Sequence, residues 1–217
     1  GNFSFKPGAM KFKKLSDSDS DLITEEDMTV IGNTNPKVTG GFGLSGSWKN
    51  LDFTAFFNYM CDFDVFNVNK LYLNSAVRRN YSNLSTNMNL ARRFRYVDDA
   101  GVNVSSDPVA LAALNQNAAT YSWMSVTQGI TMNDLIEDGS FLRLNSATLG
   151  YTLPSVWTKK VGLSKVRFYV SGNNLFTLTG YSGYDPEVNI ATGLTPNIDY
   201  NRYPRSRTYT FGAQLTF

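Results

Sequence analysis

Few residues in this chain could do chemistry, and their types narrow the choice at once. Cys61 is the only cysteine and there is no histidine. Ser-His-Asp and Cys-His nucleophilic arrangements are therefore excluded, as is any His-bearing zinc site. Cys61 lies in an alternating aromatic segment and is expected to be a small packing residue. The carboxylate pairs Asp62/Asp64 and Asp98/Asp99 would suit glycoside hydrolysis only with a cleft and a fixed separation, which nothing here supplies. No enzymatic activity is expected. Asp17, Asp19 and Asp21 alternate with serines ahead of Glu25, Glu26 and Asp27. Alternating carboxylates are the chemistry of a hard cation such as Ca2+, but the glycine such a loop carries at its sixth position is Leu22, and its twelfth position is Met28 rather than a bidentate Glu. Two alternatives stand: a Ca2+ site at Asp17, Asp19 and Asp21, or a solvated acidic turn. No other cofactor is expected.

Binding chemistry is carried by arginines and aromatics. Arg78-Arg79 and Arg92-Arg93-Arg95, beside Tyr81, Phe94 and Tyr96, could form a phosphate patch. The net charge of +2 and the absence of an RNA- or DNA-binding motif favour solvated loop or lumen charges instead, and no nucleic-acid partner is expected. Tyr181, Tyr184, Tyr200 and Tyr203 bracket a Gly/Pro/Asn/Asp-rich stretch. They could stack on sugar rings as ligand-contacting loop aromatics, or belong to an interfacial belt or to the loop's own core.

The elements that must position these residues are strands. Charged residues make up 18% of the 217, below the roughly 25% of soluble domains, while aromatics reach 14%. In Thr208–Phe217, Tyr209, Phe211, Ala213, Leu215 and Phe217 share one face, and Thr208, Thr210, Gly212, Gln214 and Thr216 the other. Val166, Phe168 and Val170 alternate with Arg167, Tyr169, Ser171 and Asn173; Ala147, Leu149, Tyr151 and Leu153 alternate with Ser146, Thr148, Gly150 and Thr152. A hairpin turns near Lys49-Asn50, with Phe42, Leu44 and Trp48 on one arm and Leu51, Phe53, Ala55, Phe57 and Tyr59 on the other. Strands are thus expected near 40–50, 51–60, 141–153, 165–175 and 206–217, separated by long loops at 67–130 and 178–204. Short helices are expected within 67–76 and 108–119, and a helical turn over 154–162 ending at Gly162.

The polar face decides where such strands live. It is built of Ser, Thr, Asn, Gln and Gly rather than the Lys and Glu of a soluble sandwich, and the apolar face ends in Tyr, Trp and Phe. Runs of roughly 9 to 11 residues fit a tilted membrane crossing, and long loops suit one side of an outer-membrane barrel. The fold class expected is all-β, a transmembrane antiparallel β-barrel with long extracellular loops. The last eight residues match the C-terminal β-signal of bacterial outer-membrane proteins. In it Thr210, Gly212, Leu215 and Phe217 hold the polar, glycine, hydrophobic and terminal aromatic positions. A closing strand of this kind is taken up through its edge by the barrel-assembly machinery. Gly212 would let a neighbouring backbone approach, and Leu215 and Phe217 would anchor the strand in outer-membrane lipid.

Several blocks then become specific. Asp138-Gly-Ser-Phe-Leu-Arg-Leu-Asn-Ser-Ala-Thr-Leu-Gly-Tyr-Thr-Leu-Pro154 resembles the D-G-S-F-L-R-L…T-L-G-Y-x-L-P block of the SusC/RagA family of TonB-dependent transporters. Val166–Thr177 resembles the block that follows it. Gly180-Tyr-Ser-Gly-Tyr-Asp-Pro-Glu187 and Tyr203-Pro-Arg-Ser-Arg-Thr-Tyr-Thr-Phe-Gly212 come in the family's order. Upstream, Lys6-Pro-Gly8 and Val30-Ile-Gly-Asn-Thr-Asn-Pro-Lys37 are similar to its P-G-D…I-I-G-N-P-N-P stretch. The family's segment after P-G-D often carries an Asp/Asn/Gly run resembling a calcium loop; here Asp17–Asp21 stands in its place, one residue short of the usual spacing.

The resemblance implies a TonB-dependent importer of glycans, oligosaccharides or peptides in the outer membrane of a Gram-negative bacterium of the Bacteroidetes type. Its implied partners are a SusD-like surface lipoprotein acting as lid and the TonB complex. It also implies a plugged barrel of about 22 strands, of which residues 1–217 would be the C-terminal segment. With no plug, TonB box or export signal in sight, the chain is expected to need the N-terminal plug and the remaining barrel strands from elsewhere. Two other functions compete: a structural or adhesive outer-membrane barrel without energised transport, and a soluble β-sandwich binding module.

Overall fold

Period-two alternation makes strands, and here the strands find one another in sequence order. In a computed structural model, residues 6–17, 23–74, 83–122, 131–187 and 197–217 are described. Among them the strands are β1 (Val38–Trp48), β2 (Leu51–Cys61), β3 (Asp64–Asn67), β4 (Ile136–Asp138), β5 (Phe141–Thr152), β6 (Lys165–Thr179), β7 (Ile198–Asp199) and β8 (Thr208–Thr216). Five of these form an antiparallel sheet in the order β1-β2-β5-β6-β8, and three short ones form a second sheet, β4-β3-β7. The chain divides into two compact units, Gly32–Phe66 with Ile136–Phe217, and Gly1–Ile31 with Asn67–Leu135. The first holds the five-stranded sheet.

Register carries the sequence alternation across that sheet. Phe42 lies opposite Phe57 and Leu44 opposite Ala55. Phe53 lies opposite Leu149 and Leu51 opposite Tyr151. Leu149 faces Val170 and Tyr151 faces Phe168, while Val170 faces Phe211 and Phe168 faces Ala213. The Phe42 and Phe57 rings stack with centroids 4.9 Å apart. The opposite face carries Ser45, Thr54, Thr148, Ser171 and Thr210 in one row. Phe56 is a large apolar exception on this polar face, opposite Gly43 and Ser146. The apolar face is left uncovered: Phe42, Leu44, Trp48, Phe53, Leu149, Phe168, Phe211 and Leu215 are all exposed. At roughly 1.5–3 kcal/mol per side chain, leaving this row in water would offset most of a domain's roughly 5–15 kcal/mol of stability. A sandwich would bury that face; lipid satisfies it. No helix among the described residues is long and apolar enough to cross a membrane.

The alternation slips at one place. Pairing shifts register between Leu144 and Ser146, leaving Asn145 in a bulge. Beyond it Leu144 opposes Phe57 and Leu142 opposes Tyr59, so these leucines stay on the apolar face, while Arg143 opposes Asn58 on the polar one. Strict alternation from Ala147 would have sent Arg143 to the apolar side. The bulge re-aims it.

Connections segregate by length. β1 and β2 join through Lys49 and Asn50, with Lys49 at φ 53°. β5 and β6 join through α3 (Ser155–Thr158), a 3-10 turn at Lys159–Val161 and a left-handed cap at Gly162. The longer connections leave the opposite end of the sheet. There β3, β4 and β7 gather over a core of Phe63, Val65, Phe141 and Tyr181. In the second unit the short helices are capped as their sequences require. Asn67 accepts from the Lys70 N–H ahead of α1 (Val68–Leu73), and Asp107 accepts from Val109 and Ala110 ahead of α2 (Pro108–Leu114), with Pro108 at its first position. Cys61 is exposed at the end of β2, not packed as its aromatic surroundings implied.

Two glycines on the polar face are spaces that other side chains fill. A Cβ on Gly212 would fall 2.3 Å from the Tyr169 ring, and one on Gly150 would fall 2.3 Å from the Arg167 guanidinium. The close approach at Gly212 is by a ring, where the sequence pointed to a backbone. In the receptor carrying this chain, Gly212→Val should destabilise the sheet by about 1–3 kcal/mol through overpacking, seen as a lower temperature for loss of heat-modifiable gel mobility. Combining it with Tyr169→Ala should recover most of the loss; an unaltered single variant would show that the ring does not occupy that space.

Candidate functional site

The best-built polar cluster sits at the long-connection end of the sheet. β5 supplies Arg143, 2% exposed, through the bulge at Asn145. Its Nη2 donates to Asp185 Oδ1 at 2.5 Å, and its Nε lies 3.0 Å from Glu187 Oε2. The second contact is close in charge but not aligned as a hydrogen bond. Arg205 Nη2 reaches the other Glu187 oxygen at 3.3 Å, and the Arg205 N–H lies 3.5 Å from Asp185 Oδ2. The Glu187 N–H donates to Asp185 Oδ1 at 3.0 Å, closing the turn on itself. Burial pushes the Asp185 carboxyl up, but Arg143 and the backbone donors outweigh it and hold the group below the ordinary range. One guanidinium on the sheet thus holds the 180–187 arm of the loop, and Arg205 fastens the 197–207 arm to the same two carboxylates.

A second fastening lies beside it. The Tyr181 ring is buried in the core with Phe63 and Phe141, whose rings meet edge to face at 6.4 Å. Its hydroxyl donates to the buried Asp199 Oδ2 at 2.7 Å. Burial, then Asp199, pushes the phenol well above its usual value. The Ser182 N–H and hydroxyl donate to the Glu137 carboxylate at 3.0 and 2.8 Å, and Thr179 Oγ1 donates to the Ser140 carbonyl at 2.8 Å.

This fixes where the four tyrosines go. Tyr181 belongs to the loop's own core and presents no face to a ligand. Tyr184 and Tyr203, one or two residues from the clamp, are 85% and 90% exposed, and Tyr200 is half-buried. Thr210 and Gly212 lie on the polar face opposite Ser171 and Tyr169, Leu215 lies on the apolar face opposite Val166, and Phe217 follows β8, largely exposed. Across the polar face toward the short turns, Arg167 lies over Gly150 to reach Asp52 through Nε at 2.9 Å and Nη2 at 2.5 Å, with Tyr169 beneath it at 5.3 Å.

The remaining candidate carboxylates are engaged structurally. Asp62 pairs with Lys37 at 2.6 Å, Asp64 accepts from the Asn33 N–H at 2.7 Å, Asp98 accepts from Ala100 and Val102, and Asp99 pairs with Arg95 at 2.6 Å. Of the acidic run, Asp17 is exposed, while Asp19 and Asp21 lie outside the described residues. Asp27 accepts from the N–H groups of Leu15, Ser16 and Thr24, bonds led by Ser16 that hold its carboxyl far below the usual range. The residues that sequence reasoning missed are Arg143, Asp185, Glu187 and Arg205. Their signal was present, since they fall in three ordered blocks, Asp185 and Glu187 sharing one, but nothing in the sequence joins the blocks.

In the receptor carrying this chain, Arg143→Ala should leave the buried Asp185 without its cation and Glu187 with Arg205 alone, and cost about 3–5 kcal/mol. The readout is faster proteolytic nicking within 181–207; an unchanged cleavage rate would refute the clamp. Because Asp185 is held low, its contribution should be complete above the ordinary aspartate value of about 3.9 and fade as pH falls below it. Nicking in wild type should therefore accelerate on the acid side only.

Comparison with known proteins places this geometry. No protein-family model matches the chain. It is 30% identical over 217 residues, 97% of its length, to the TonB-dependent receptor P3 of Formosa agariphila. It is 33% identical over 142 residues, 63% of its length, to the TonB-dependent receptor SusC of Bacteroides thetaiotaomicron. Those alignments take in 19% and 12% of the two receptors, so the chain spans about a fifth or less of the curated relatives it matches. The solved RagAB peptide importer in its open-open state aligns over 94% of this chain and 20% of its own, with TM-score 0.62 and 25% identity. The RagAB peptide transporter aligns over 84% and 17%, with TM-score 0.61 and 27% identity. Register, ordered blocks and likeness along nearly the whole length agree: the chain is similar throughout to the outer-membrane β-barrel of SusC- and RagA-type TonB-dependent receptors.

Proposed function

We propose that the chain forms part of a TonB-dependent outer-membrane importer of oligosaccharides, glycans or peptides, working with a SusD-like lipoprotein as its lid. The observation that carries this is the pairing of a polar, mostly uncharged inner face with a loop cluster clamped at one end of it, on a chain aligned over 94% of its length with a peptide importer. Uncharged Ser, Thr and Asn side chains offer weak, exchangeable hydrogen bonds, which suits passage better than retention. The open edges of β1 and β8 are where the remaining barrel strands would pair, with the plug inside and TonB engaging the N-terminal part. The edge of β8, with Thr210, Gly212, Leu215 and Phe217, would be the segment presented to the assembly machinery. Tyr184 and Tyr203 are the rings best placed to stack on a sugar or a peptide side chain.

The test uses the receptor expressed from its own gene with an affinity tag. Extraction from the outer membrane should bring down a plug-bearing polypeptide and a surface lipoprotein. Deletion of the gene should abolish growth on one class of oligosaccharide or peptide. A barrel recovered alone, with growth on every such source unchanged, would transfer the chain to the structural or adhesive class. Within a functioning importer, replacing Tyr184 and Tyr203 by Ala should weaken apparent substrate affinity by roughly 2- to 10-fold per ring at equal surface expression.

A further inference from the structure

The short-turn end of the sheet has a composition that import does not explain. Its two connections carry Trp48, Val156, Trp157 and Val161, all largely exposed. Among these apolar side chains stand Lys49, Lys159 and Lys160, likewise exposed or half-exposed. Lys49 Nζ lies 4.8 Å from the centre of the Trp48 ring. Over residues 46–52, 153–167 and 212–217 the only carboxylate side chain is Asp52. Asp52 is turned onto the polar face and held there by Arg167. Among the described residues Lys49, Lys159 and Lys160 make no ion pair. Three cations are therefore left without a counter-charge at the rim of a face that is otherwise apolar.

We propose that this rim binds the phosphate headgroup of anionic phospholipids in the leaflet at the short-turn end. Three features point to a lipid rather than to a soluble anion. The apolar row of β1, β2, β5, β6 and β8 runs directly into Trp48, so the cations stand where hydrocarbon gives way to headgroups. Lysine stems lie along apolar surface while their ammonium groups reach the polar layer. Trp48 and Trp157 have the amphipathic rings that settle at that level. The fixed geometry of the connection supports a built surface: Thr158 is buried, the 3-10 turn ends on the left-handed Gly162, and Lys159 and Lys160 fall within that one turn. The proposal rests on the membrane placement of the sheet and is independent of any transported substrate.

The receptor carrying this chain, purified in mild detergent from membranes containing phosphatylethanolamine and phosphatidylglycerol, would be assayed by mass spectrometry of the lipid it retains. Wild type should retain phosphatidylglycerol well above its membrane proportion. Lys159→Gln with Lys160→Gln should lower that enrichment by about fivefold per lysine, while Lys159→Arg with Lys160→Arg should keep it. A matched pair at the opposite end of the same sheet, Lys37→Gln with Arg207→Gln, should leave it unchanged, and inorganic phosphate should not displace the lipid. Retention by wild type in the membrane proportion would overturn the proposal, as would full enrichment in the glutamine variant or displacement by phosphate. Heat-modifiable mobility reports whether each variant is folded, and the wild-type result decides even if a variant is not. Substrate uptake plays no part in the readout, so an unsuccessful import assay leaves this outcome interpretable.

Discussion

A guanidinium buried in a sheet must be met by carboxylates, and that requirement organises the long-connection end of this chain. An uncompensated charge at Arg143 would cost several kcal/mol. Its partners come from residues 185 and 187, and Arg205 comes in behind them on Glu187. The 180–187 arm is therefore drawn to one atom group on β5, and the 197–207 arm follows through Glu187. The position of that group depends in turn on Asn145. Without the bulge Arg143 would point into lipid, where an arginine near the midplane of a barrel costs about 2–4 kcal/mol. One extra residue in a strand thus decides on which face the loop is tied.

The rest of the sheet is governed by the opposition of its two faces. Large apolar side chains on one side and Ser, Thr, Asn and Gly on the other would be an unstable combination in water, where the apolar row would seek a partner. Between lipid and an aqueous interior it is self-consistent. The same logic applies to the edges. β1 and β8 each lie at a margin of the sheet without a partner among the described residues. Backbone donors and acceptors left open in hydrocarbon are costly enough that only closure by further strands answers them.

Much of this was legible from residue order alone. The faces of β1, β2, β6 and β8 follow from strict alternation, and the turn at Lys49-Asn50 and the cap at Gly162 follow from local chemistry. The ordered blocks carried the resemblance to SusC/RagA receptors. What escaped was whatever depends on a break in period or on contact across distance. Alternation counted back from Ala147 assigns Arg143 to the wrong face, because a bulge has no composition signature. Tyr181, Tyr184, Tyr200 and Tyr203 look equivalent as loop aromatics. Only the packing separates the buried ring of Tyr181 from the exposed rings of Tyr184 and Tyr203. Gly212 announced a close approach, but not that Tyr169 would make it.

The paired use of glycine on the inner face has a bearing on clearance. Arg167 stretches sideways across Gly150 to Asp52, and the Tyr169 ring covers Gly212. Long side chains at such positions would ordinarily project several ångströms toward the axis of a barrel. Here they lie flat, like tiles set flush with the wall. The polar face thus keeps an ion pair and an aromatic surface while little of either stands out from the wall.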